Sequence, residues 1–125
     1  MATVLLVDDD DLSRGAVLKM LERSGYPVRS TGIGREALAL YRDHPADLVI
    51  TDLIMPETDG LEMIRELRKM NPHVRVLAIS GGGRVEAEEY LSVARKFGAV
   101  EVLRKPFTTA ELKLAVESAL GNPNV

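Results

Sequence analysis

The 125 residues fall within the span of one domain and suffice to bury a core without disulfides or a structural metal, which excludes a two-domain protein. A composition of 46% hydrophobic and 28% charged residues excludes intrinsic disorder, and the lack of any cysteine excludes disulfide frameworks, thiolate zinc sites and cysteine nucleophiles. Sixteen basic and 19 acidic side chains leave a net charge of −3, with Lys and Arg spread along the chain, so direct nucleic-acid binding is not expected.

The first element is Val4-Leu5-Leu6-Val7, a short β-branched-rich run that reads as a strand buried on both faces; four consecutive acids, Asp8 to Asp11, follow it. Leu12, Ala16, Val17, Met20 and Leu21 then recur at helical spacing, and Ser24-Gly25 stops that helix before Pro27. The same pair of elements returns as Val28 to Thr31 and a helix with Ala37, Leu38 and Tyr41 inward, then as Asp47 to Thr51 and a helix with Leu61, Ile64 and Leu67 inward. Val74 to Ile79 precedes a helix over Val85 to Phe97, and Val100 to Leu103 precedes one over Leu112 to Leu120. Two helix starts carry the reciprocal spacing of a capping box, Asp59 with Glu62 and Thr108 with Glu111.

Five strand-helix pairs with right-handed crossovers close as an α/β fold, a doubly wound five-stranded parallel sheet with five helices; a closed eight-fold barrel needs roughly twice the length. No internal linker is apparent, so residues 1–121 are expected as the domain and 122–125 as a short tail. The longest uninterrupted apolar run, Ala37 to Tyr41, is far short of the roughly 18 residues of a membrane helix. No export signal opens the chain, so no membrane partner and a cytoplasmic location are expected.

Ligands of an open parallel sheet bind beyond the carboxyl ends of its strands. The residues due there are Asp8 and Asp9, Asp52, Ser80 and Lys105. Each has an ordinary structural reading, as helix cap, turn residue, loop punctuation or solvated charge. Together they do not, because two carboxylates about 4 Å apart repel by about 4 kcal/mol at an effective dielectric of about 20. Lys105 supplies one compensating charge, and hard oxygen donors without a nearby His or Cys favour Mg²⁺ as another. His44 and His73 fall near helix ends, away from this edge. An open Mg²⁺ position beside a carboxylate suits phosphoryl transfer onto that carboxylate, with Lys105 and Ser80 facing the phosphoryl oxygens.

These residues resemble the receiver domain of bacterial two-component response regulators, through Val4-Leu5-Leu6-Val7-Asp8-Asp9, Asp52-Leu53-Ile54-Met55-Pro56 with Asp59-Gly60, Ile79-Ser80-Gly81, and Lys105-Pro106-Phe107. Four such motifs in order cover nearly the whole chain. The resemblance implies a flavodoxin-like strand order 2-1-3-4-5. It implies that Asp52 accepts a phosphoryl group from a phosphohistidine of a sensor histidine kinase or histidine phosphotransfer protein, and that a downstream protein target reads the surface of the fourth helix, fifth strand and fifth helix. Such a protein catalyses its own phosphorylation and slow self-dephosphorylation without being a conventional multiple-turnover enzyme. Mg²⁺ would be held by Asp9, Asp52 and the backbone carbonyl of Ile54, with Asp8 acting through a metal-bound water. Lys105 would pair with the carboxylate and then with the phosphoryl group, the bond before Pro106 is often cis in relatives, and Ser80 would swing toward the phosphoryl group as the switch.

The chain departs from that pattern at Val102, three positions before Lys105, where relatives commonly carry Tyr or Phe; a branched Val lacks the ring and the rotamers for the same inward excursion. Output is then expected through backbone shifts at Gly81 to Gly83, within a segment from Ser80 to Lys105 that is a few residues longer than usual. Ile54 and Gly82, which stand where relatives tune self-dephosphorylation, cannot position a water, so a long-lived phosphoryl group is expected. A stand-alone receiver, monomeric or weakly dimeric, is the expected form. Two alternatives are a receiver-like interaction module that takes no phosphate and a haloacid-dehalogenase-like phosphatase; the second leaves Asp52 without a role.

Overall fold

The computed structural model describes residues 2–53, 60–80, 92 and 94–121. In chain order the elements are β1 (Val4–Val7), α1 (Asp11–Arg23), β2 (Val28–Thr31), α2 (Gly34–Asp43), β3 (Leu48–Asp52), α3 (Gly60–Met70), β4 (Val76–Ser80), a helical segment α4 over residues 94–97, β5 (Glu101–Arg104) and α5 (Thr109–Ala119). All strand pairs are parallel and the order is β2-β1-β3-β4-β5, the expected doubly wound flavodoxin-like arrangement.

Alternation along the buried strands builds the two halves of the core, because successive side chains leave a strand on opposite faces. Leu5, Val7, Val49, Val76 and Ala78 point to one side, where Ala37, Tyr41, Met63, Ile64 and Leu67 of α2 and α3 cover them. Val4, Leu6, Leu48, Ile50, Leu77 and Ile79 point to the other, under Val17 and Leu21 of α1 and Leu112 and Val116 of α5. The central strands β1, β3 and β4 are buried along their whole length, whereas edge strand β2 buries only Thr31.

Three strands have boundaries that differ by one or two residues from the sequence pattern. β3 runs on to include Asp52, β4 begins at Val76 and includes Ser80, and β5 begins at Glu101 and includes Arg104. The ladder accounts for the three carboxyl ends: Asp52 pairs with Ile79 and Ser80 with Arg104, so these polar residues belong to the sheet's last rows.

In α1, Val17, Met20 and Leu21 face the core as expected, but two other positions differ. Leu12, expected inward, is 87% exposed, and Ala16 is exposed as well. Asp10 is the N-cap, accepting hydrogen bonds from the backbone N–H groups of Leu12 and Ser13, and this start turns the stripe Ser13, Val17, Leu21 toward the sheet. The helix ends where expected, with Gly25 at φ 90°, a left-handed position that glycine adopts without strain.

Thr108 and Glu111 form the expected capping box at the start of α5: Thr108 Oγ1 accepts from the Glu111 N–H and Glu111 Oε1 from the Thr108 N–H, both at 3.1 Å. Thr108→Ala should therefore lower stability by about 1 kcal/mol, read as a shift of the denaturation midpoint at constant slope. The matching pair at Asp59 and the expected helix residues 85–91 and 93 lie outside the described residues, as does the tail 122–125.

Candidate functional site

The site begins with register. Val7 pairs with Thr51, so the next residues, Asp8 and Asp52, leave adjacent strands at the same height at the carboxyl edge of the sheet. Both are buried, Asp8 to 2% and Asp52 to 8% residual exposure. Lys105 reaches them from the end of β5. Its backbone N–H donates to the Ser80 carbonyl at 2.9 Å, and its ammonium donates to Asp52 Oδ2 at 3.1 Å, Asp8 Oδ2 at 3.4 Å and Ser13 Oγ at 2.7 Å. The Lys105–Pro106 peptide is cis.

Burial opposes the ammonium charge on Lys105, but the charges and hydrogen bonds of Asp52 and then Asp8 outweigh it, holding the Lys105 pKa above the usual lysine value. Two acids and one base leave a residual negative charge in a buried setting, which a cationic ligand or an electrophilic phosphorus would relieve.

Ser80 is fully buried and its Oγ has no hydrogen-bond partner among the described residues. A buried hydroxyl without a partner loses solvation of about 1–3 kcal/mol with no return in the resting fold. Ser80→Ala should raise stability by about 1 kcal/mol, checked by denaturant titration. A clear loss of stability would mean that the hydroxyl is engaged in the resting protein.

Asp9 is half-buried and lines a neighbouring cleft of about 460 Å³ with Asp11, Arg14, Thr31, Gly32 and Glu36. Among the described residues no three His, Asp or Glu side chains stand together as a ready metal-binding group. The arrangement therefore brings Asp8, Asp52 and Lys105 into direct contact, with Asp9 beside them on the β2 side. Ile54, whose carbonyl was an expected ligand, and Gly81 to Gly83, the expected backbone switch, lie outside the described residues. Val102 is half-buried and packs against the core on the α2–α3 face. His44 caps the far end of α2, at the opposite edge of the sheet.

Two polar residues of the site carry no motif. Ser13 is one, described above. Arg14 is the other: it donates to the Asp8 carbonyl at 2.7 Å and to Asp11 Oδ1 at 2.6 Å, bracing the acidic turn, while Asp8 Oδ1 accepts from the Asp10 N–H at 3.0 Å. A Cβ on Gly32 would stand 2.6 Å from Arg14 Nη1, so this guanidinium lies where only a glycine leaves room. The signal for Ser13 was present as a polar residue four before Val17 and eight before Leu21, on the buried stripe of α1.

A doubly wound α/β sheet with paired acids, a lysine and a hydroxyl at its carboxyl edge defines a class of protein whose chemistry sits beyond the strand ends. The response regulator receiver domain family matches residues 4–117. The chain is 37% identical to the DNA-binding transcriptional regulator NtrC of Azospirillum brasilense over 97% of its own length and 24% of that protein's. It is 32% identical to the response regulator receiver protein CpdR of Brucella abortus, covering 96% of this chain and 98% of that one. Among solved structures, a response regulator receiver domain protein from Clostridium thermocellum superposes with a TM-score of 0.88 at 31% identity, covering 99% of this chain and 98% of that chain. The chain belongs to the response regulator receiver domain family. It spans about a quarter of the length of the longer regulators it matches. The phosphatase alternative is not favoured, since that reading has no use for Asp52, which is half of the lysine-bridged pair. No helix among the described residues is long and apolar enough to cross a membrane.

Proposed function

We propose that this chain accepts a phosphoryl group on Asp52 from a phosphohistidine of a sensor histidine kinase or histidine phosphotransfer protein, and passes the signal to a downstream protein through the surface of α4, β5 and α5. The observation that carries this reading is the buried pair Asp8 and Asp52 on one ammonium, beside a Ser80 hydroxyl that has no partner among the described residues. A carboxylate oxygen of Asp52 attacks phosphorus; the new O–P bond forms as the P–N bond to the donor imidazole breaks, and the bonding pair leaves on that nitrogen, which regains a proton. Lys105 donates to the phosphoryl oxygens as their charge rises, and Ser80 gains in the phosphorylated state the partner it lacks at rest.

Mg²⁺ fits the chemistry of the donors, which are carboxylate oxygens carrying excess negative charge. The residues to hold it are Asp8, Asp9 and Asp52 with the Ile54 carbonyl, and when bound it supplies positive charge against the phosphoryl oxygens. With Val102 half-buried against the core in place of a rotating ring, the signal travels by backbone shifts at Gly81 to Gly83, and with Ile54 and Gly82 where relatives tune self-dephosphorylation the phosphoryl group is long-lived. The test is incubation with Mg²⁺ and acetyl phosphate followed by intact-mass measurement. One added phosphoryl group is expected, and an unchanged mass overturns the reading.

A further inference from the structure

We propose that Ser13 is a positioning residue for phosphoryl acceptance: its hydroxyl anchors the Lys105 ammonium so that the bond to Asp8, and not the anchor, is given up when a phosphoryl oxygen arrives. The inference rests on the function proposed above and adds to it a residue outside the four motifs.

A lysine ammonium has three N–H donors. Here three acceptors take them: Ser13 Oγ at 2.7 Å, Asp52 Oδ2 at 3.1 Å and Asp8 Oδ2 at 3.4 Å. The shortest is to the neutral group. Charge-assisted N–H···O bonds usually measure about 2.7–2.9 Å, so the two carboxylates hold the ammonium loosely and the hydroxyl sets its position. Ser13 is itself fixed. It lies in the first turn of α1, whose cap Asp10 accepts from the Ser13 N–H, and it shares the inward stripe of Val17 and Leu21, which pack under the sheet. The anchor therefore belongs to a rigid element 92 residues from Lys105 in sequence.

An uncharged anchor suits the task. A third carboxylate would neutralise the ammonium further and blunt its pull on a phosphoryl group, whereas a hydroxyl orients the amine and leaves its charge available. A phosphoryl group on Asp52 needs one N–H from Lys105, and all three are occupied. The Asp8 contact is the longest and the one to exchange. Without the Ser13 hydroxyl one donor loses its acceptor, and the flexible four-carbon stem lets the ammonium wander between the two acids.

The test compares wild type, Ser13→Ala and Ser13→Thr, with Asp52→Asn as the unlabelled control. In the resting protein, without phosphodonor, ¹⁵N relaxation of the Lys105 Nζ is expected to report an ordered ammonium in wild type and Ser13→Thr and a mobile one in Ser13→Ala. With Mg²⁺ and acetyl phosphate, Ser13→Ala is expected to take up label about tenfold more slowly and Ser13→Thr to recover to within about twofold of wild type, since only the hydroxyl is restored. Thermal melts confirm that all variants are folded. Equal Lys105 mobility in wild type and Ser13→Ala, equal labelling rates, or a Thr variant as slow as Ala overturns the anchor. A wild type that takes no label overturns instead the function on which the inference rests, and the ammonium relaxation then decides the anchor by itself.

Discussion

Asp52→Asn is expected to abolish labelling by a small phosphodonor completely while leaving the protein as stable as the wild type to within about 1 kcal/mol. The two halves of that expectation have different origins. Loss of labelling follows from chemistry: an amide oxygen carries no negative charge and forms no acyl phosphate, so a single atom decides the reaction. The unchanged stability follows from electrostatics. Asp52 shares Lys105 with Asp8, and the two acids repel each other across that ammonium. Removing one negative charge forfeits its attraction to Lys105 and at the same time relieves its repulsion from Asp8, and at an effective dielectric of about 20 these are opposing effects of similar size. The Asn carbonyl can still accept from the lysine. Intact mass and a denaturant titration on the same samples check both halves. Residual single labelling of the variant would place the acceptor elsewhere, and a loss of several kcal/mol would mean that the Asp52–Lys105 pair outweighs the repulsion.

Much of this was legible in the sequence because it is local. An apolar run such as Val4 to Val7 ended by acids needs burial on both faces, and its recurrence with helical stripes between dictates a parallel sheet; the order β2-β1-β3-β4-β5 came only through the resemblance. The strand-end acids and Lys105 were found by asking what each strand delivers to one edge, and register does bring Asp8 and Asp52 to the same height. What stayed hidden depends on rotation and on distance along the chain. Val17, Met20 and Leu21 do face the core, but Leu12 and Ala16 were read as inward with them because they are apolar and Ser13 is not; the cap at Asp10 puts Ser13 on the stripe of Val17 and Leu21 and turns it toward Lys105. Arg14 was hidden for a similar reason. Its i,i+3 pairing with Asp11 is a local pattern, but its hold on the Asp8 carbonyl and its place above Gly32 leave none in the order of residues.

Lys105→Met should be the most destabilising single change at this edge, costing about 3–5 kcal/mol, because it removes the ammonium that the two buried carboxylates share. Met keeps the length and apolar stem of the lysine, so the loss isolates the ammonium from the packing. The side chain of Lys105 is 23% exposed, so solvent screens part of the effect and the lower end of that range is the better expectation. The pH dependence has a definite sign. The folded pKa of Lys105 is raised, so the ammonium's contribution is fully present below the ordinary lysine value of about 10.4 and is lost as pH rises through the folded value. The stability gap between wild type and Lys105→Met should therefore stay level from pH 7 to about pH 10 and close at more alkaline pH, where the wild type loses what the variant never had. Millimolar Mg²⁺ should stabilise Lys105→Met more than wild type, since in the variant no ammonium competes for the same oxygens. Denaturant titrations across this pH range, with Mg²⁺ and with chelator, make the comparison. A variant as stable as wild type at pH 7 would show that the acids tolerate burial without the lysine, and an equal response to Mg²⁺ would show that metal and ammonium do not share them.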